Sequence, residues 1–182
     1  MNLQAIFDLD CDFAAKSLQQ AGQVHAMFAV HHKRKGENAS AVMVADFSSP
    51  DAKDMSVKAV RLMGVALDAY AITLVTEAWV ATITPKTDAA VAALAPSERE
   101  DKREVLMVMM SARGATPQFA SIREILRATD GGISLGAAEP DYEGMTGRMT
   151  QMLLPKPPTA SQRAQARAVL EMIGVNPVDW QK

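Results

Sequence analysis

The chain is poor in the residues that usually announce a function. It holds one cysteine, Cys11, in 182 residues, so an internal disulfide is excluded and a reducing, cytoplasmic setting is expected. Aromatic residues make up only 5% of the chain and none is interleaved with a basic run, which leaves no stacking platform for single-stranded nucleic acid. Charge of one sign is lacking as well. A formal net charge of -2 provides no broad basic face and argues against DNA or RNA as a partner. No run approaches the ~18 consecutive apolar residues of a membrane helix. The opening Met1-Asn2-Leu3-Gln4 has neither the positive start nor the apolar stretch of a signal peptide. There is no Gly-x-Ser-x-Gly elbow, and the glycines from Gly131 to Gly147 lack the Lys-Ser/Thr ending of a phosphate-binding loop. No cofactor is expected.

What is present describes an ordinary globular protein. An apolar fraction of 48% and a charged fraction of 22% are those of a folded domain, and residues 1–182 are long enough for one domain with a real core. Methionine, at 12 copies, outnumbers Trp, Tyr and Phe together at 2, 2 and 5. Its flexible thioether fills irregular gaps and also lines adaptable binding surfaces.

Hydrophobic periodicity sets the order of elements. Leu3, Ile6, Phe7, Phe13, Ala14, Leu18 and Ala21 share one face of a helix that Gly22 stops. Val24 to His32 and Ala39 to Phe47 read as two strands joined by the polar Lys33–Asn38 tip, a basic-tipped hairpin. Ser48-Ser49-Pro50-Asp51 combines a hydroxyl cap, a first-turn proline and an acid, and starts a helix that runs to about Ala69. Strands follow at Ala71 to Thr84, Val105 to Ala112 and Gln118 to Leu126. A long Gly-, Met- and Pro-containing loop then spans 127–158, and a last helix covers about Ser161 to Ile173. The expected fold is α+β, a five-stranded, mainly antiparallel sheet with packed helices in the order α-β-β-α-β-β-β-(long loop)-α. This order is similar to that of the roadblock, longin and profilin-like domains. The likeness is one of topology and implies nothing about chemistry.

One short motif competes with the helical reading of the N-terminus. Ile6-Phe7-Asp8-Leu9-Asp10-Cys11-Asp12 resembles the opening of the haloacid-dehalogenase phosphatases, where an apolar strand ends in a nucleophilic Asp and a second Asp two residues on. That resemblance implies a magnesium-dependent phosphohydrolase with Asp8 and Asp10 as its carboxylates. Residues 3–12 would then be strand. On the helical reading, by contrast, Asp8 and Asp12 lie on the polar side while Asp10 falls within the apolar face. Cys11 occupies the family's small-residue position and Asp12 its threonine position, and no lysine strand or paired acidic loop follows.

Other residues carry weaker signals. Glu77 sits mid-strand between Val75 and Trp79 on its own face, with His25 and Arg123 as possible partners, and this face is a possible small-molecule sensor surface. His31 and His32 point to opposite faces of their strand, so they are no ready-made metal pair. Met145, Met149 and Met152 have helical spacing within the long loop. With no catalytic constellation, the expected function is a binding or interaction protein that self-associates. Its partner is a second copy or another protein, met through an edge strand or the Met145–Met152 segment.

Overall fold

The computed structural model describes residues 2–81, 84, 86–114, 119–139 and 152–175. Helix α1 (Leu3–Ala21) is capped by the Asn2 side chain and closed by Gly22, whose φ of 77° is the left-handed conformation that glycine adopts without penalty. Strands β1 (Met27–Arg34) and β2 (Glu37–Val44) form the predicted hairpin. Lys35 and Gly36 both have positive φ at its tip, the two-residue turn whose twist matches the flanking strands. Helix α2 (Pro50–Ala66) begins at the Ser49 cap with proline in its first turn. Next come β3 (Ala71–Val80), a short helix α3 (Ala89–Ala92), a single 3-10 turn at Pro96–Glu98, and β4 (Arg103–Ala112). Strands β5 (Phe119–Arg127) and β6 (Ile133–Ala138) follow, and α4 (Ala160–Met172) closes the described chain.

The sheet is open, six-stranded and antiparallel throughout, in the order β2-β1-β3-β4-β5-β6. It thus has one strand more than expected. Strand β6 lies inside the segment read as a loop, because Ile133-Ser134-Leu135-Gly136-Ala137-Ala138 is short and weakly apolar and its pattern emerges only against β5. The residues 140–151 of that segment, Met145 and Met149 among them, lie outside the described residues.

Two cores flank the sheet. On one face α1 buries Phe7, Ala14 and Leu18 against Val75, Leu106, Val108, Met110 and Ile125. On the other, α2 and α4 bury Val60, Met63 and Leu170 against Phe28, Val30, Ile72 and Leu74. Each of the large buried side chains contributes about 1.5–3 kcal/mol relative to exposure. β4 is apolar on both faces because a helix layer covers each. At Gly64 α2 lies close against β3 and Leu153. A methyl there would meet the tips of Ile72 and Leu153 at 3.0 Å each.

Candidate functional site

The α1 layer is offset along the sheet. It packs on β3, β4, β5 and β6, so the same face of the β1–β2 hairpin has less above it. Val42 and Val44 on β2 are 55% and 70% exposed there, and Leu9 and Phe13 on α1 are exposed as well. Ala45 donates its backbone N–H to Ala26, and in the register Ala29↔Val42, His31↔Ser40 the alternation of an antiparallel ladder follows from that bond. The N–H and C=O groups of Ala39, Ala41 and Met43 turn toward β1. Those of Asn38, Ser40, Val42 and Val44 turn outward from the sheet edge.

Beneath this edge lies a polar network. His31 is buried, with Ser40 Oγ 2.7 Å from its Nδ1 and Asp10 Oδ2 2.9 Å from its Nε2. Thr73, fully buried, donates its hydroxyl to the same Asp10 oxygen at 2.6 Å. An ionised carboxylate only accepts, so Nε2 carries a proton toward Asp10, and in the neutral ring Nδ1 then accepts from Ser40. Tyr70 stacks on the imidazole, with ring centroids 6.3 Å apart. Burial, and then the charge of Asp10, raises the Tyr70 pKa. The Ser40–His31–Asp10 order is that of a nucleophile, a base and an orienting acid, with the two ring nitrogens exchanged relative to the serine hydrolases. Cys11, next to Asp10, is held unreactive: burial pushes its thiol up to about 11, and Asp10, Asp8 and Asp12 add to the effect.

The expected site residues separate in the structure. Asp8 and Asp10 both lie inside α1, so they do not form the converging strand-end pair that the phosphatase resemblance requires. Asp8 is exposed and accepts from Gln4 one turn earlier at 2.8 Å, while Asp10 faces the sheet. Glu77 has neither His25 nor Arg123 as its partner. One of its oxygens accepts the Val24 N–H, and the other is 3.2 Å from Arg127. Arg127 also binds both oxygens of Glu104 and the Gly22 carbonyl, tying the ends of α1, β3, β4 and β5 together. Arg123 instead donates to the Gly136 carbonyl across the β5–β6 pair at 2.9 Å. Trp79 is 46% exposed with the Lys102 ammonium 5.1 Å from its ring. Met152 is buried in the core between α2 and the sheet and is not part of an exposed methionine face.

Sequence reasoning missed Ser40, Thr73 and Arg127. A signal existed for the first two. An acid on the buried stripe of a helix requires a buried polar partner, and His31 and Thr73 are polar residues in otherwise apolar strands. Nothing local marks Arg127, which acts across 50 residues of sequence to Glu77.

Among the described residues, no group of three or more His, Cys, Asp or Glu side chains is arranged to hold a metal ion, and no helix is long and apolar enough to cross a membrane. Compared with family models, curated proteins and solved structures, the chain matches none.

Proposed function

We propose that this protein is an interaction module that pairs with a second copy of itself through β2, extending the sheet across a two-fold axis. The observation that carries the reading is the chemistry of this edge. Natural sheets protect an edge strand with an internal charge, a proline or a bulge. Between Glu37 at its start and Val44 at its end, β2 has none of these. The opposite edge is defended differently, by a short β6 with a register irregularity against β5. Antiparallel pairing of two β2 strands about Ala41 sets Asn38 opposite Val44 and Ser40 opposite Val42, and gives the outward N–H and C=O groups partners. It also carries the basic tip at Lys35 toward Asp46 of the second copy, just beyond the end of β2. The two contacts are equivalent by symmetry and opposite in charge. An order of elements along the chain akin to that of the roadblock, longin and profilin-like domains belongs to this reading, with β6 added at the edge away from the pairing strand.

The test uses proline at two neighbouring positions. In Val42→Pro the lost N–H is one that β1 does not use, so the fold survives while the intermolecular ladder loses a donor. In Ala41→Pro the lost N–H is bonded to β1, and stability falls. Light scattering across micromolar to near-millimolar protein is expected to give twice the chain mass for the parent and the single mass for Val42→Pro, with unchanged far-ultraviolet circular dichroism. A monomeric parent, or a Val42→Pro variant that still dimerises, removes the proposal.

A further inference from the structure

A cavity of about 240 Å³ opens between α2 and the chain that leads into α4, lined by Val65, Met152, Leu153 and Leu154 together with the side chains of Arg61 and Arg113. It lies on the side of the sheet away from the Asp10–His31–Ser40 network, and it does not depend on how β2 pairs. The walls are apolar, and Gly64 lets Leu153 approach α2 closely enough to shape one side. Arg113 is the unusual member. Its Nη1 bonds Asp68 at 2.9 Å and its Nη2 bonds the Ala69 carbonyl. Its Nε is buried and has no acceptor among the described residues. A guanidinium N–H buried without an acceptor is costly, and its donors lie in a fork that matches a carboxylate. Asp68 also sits 3.7 Å from Arg163, so one carboxylate is shared between two guanidinium groups and the local balance stays basic.

We infer that this cavity is a binding site for a small amphipathic carboxylate, its head group on Arg113 and Arg61 and its hydrocarbon part against Val65 and the Met152–Leu154 wall. A singly charged head fits better than a phosphate, because Asp68 already offsets part of the Arg113 charge and the remaining lining is hydrocarbon. The volume lies below the ~300–1,000 Å³ of pockets that take drug-sized ligands, which selects a medium-length chain or a single ring.

Calorimetric titration of the full chain with octanoate, 1-octanol and acetate separates the head-group and chain contributions. Octanoate is expected to bind with a dissociation constant between tens of micromolar and about a millimolar, in keeping with a ligand of this size. Octanol should bind at least ten-fold more weakly, and acetate should give no heat. Arg113→Lys keeps the charge beside Asp68 but loses the planar fork, and should weaken octanoate several-fold. Arg61→Gln, on an exposed turn of α2, should do the same without unfolding the domain. No heat with octanoate up to about 5 mM, well above the expected range, would overturn the inference. So would equal binding of octanol, or octanoate affinity unchanged in both arginine variants.

Discussion

Replacing Asp10 with alanine tests the network at its centre. Asp10 Oδ2 accepts from His31 and from Thr73, and these donors are 3% and 0% exposed. A buried donor left without an acceptor costs about 1–3 kcal/mol. The two penalties do not simply add, because Thr73 Oγ1 also lies 3.1 Å from His31 Nε2. If the imidazole moves its proton to Nδ1 and donates to Ser40, Thr73 can donate to the vacated Nε2. The net loss therefore stays within one such penalty, about 1–3 kcal/mol. A domain of 150–250 residues loses about 2–4 °C of melting temperature per kcal/mol, so the Asp10→Ala midpoint falls by roughly 2–12 °C. Asp8→Ala is the internal control: it removes an exposed bond within one helix and changes stability by no more than about 0.5 kcal/mol. Thermal unfolding followed by circular dichroism measures both. A double-mutant cycle with Thr73→Val should show coupling above about 0.5 kcal/mol. An Asp10→Ala midpoint within 2 °C of the parent, a window set by the scatter of surface substitutions, would refute the reasoning. Equal effects at Asp8 and Asp10 would do so too.

Two further outcomes follow from the electrostatics. Cys11, with its thiol pushed up to about 11 from an ordinary 9.0, presents roughly 100-fold less thiolate at pH 8 than an unperturbed cysteine. Its alkylation by iodoacetamide in the native protein should be slower by about that factor and should recover in denaturant, and a rate equal to that of a free thiol would contradict the assigned burial. Glu104 is held below the usual carboxylate range, first by its hydrogen bonds to the Arg127 guanidinium. A carboxyl depressed in the folded state contributes stability above its unfolded pKa and loses it as pH falls through the folded value. Acid unfolding curves of the parent and Glu104→Gln should therefore converge at low pH and separate toward neutrality, and a constant offset across the range would show that this carboxylate is not coupled to folding.

Much of the fold was legible because its signals are local. The bounds of α1 followed from one apolar stripe ended by a glycine. The start of α2 followed from Ser48-Ser49-Pro50-Asp51, and the β1–β2 hairpin from two alternating runs around a polar tip. The position of Asp10 on the buried side of α1 was also readable. Strand β6 was missed because six weakly apolar residues carry no period strong enough to stand out from a glycine-containing loop. The partner of Glu77 was missed for a different reason: register sets Arg123 in the same row but across the buried Leu106 of β4, while the long side chain of Arg127 reaches Glu77 from further along β5.

The sequence alone determined the class of the molecule. Composition, cap residues and the two hydrophobic periods act over a few neighbouring positions, and they suffice for an α+β domain with hairpins and a helix on either side of the long β-rich run. Only the tertiary structure decided what those elements do to one another. The offset of α1 toward β3–β6, the outward-facing groups of β2, the convergence of Asp10, His31, Ser40 and Thr73, and the buried Nε of Arg113 beside an apolar cavity all depend on strand register and layer position. Those are fixed by contacts between residues tens of positions apart, where pleat and packing decide which side of each strand meets a helix and which meets solvent.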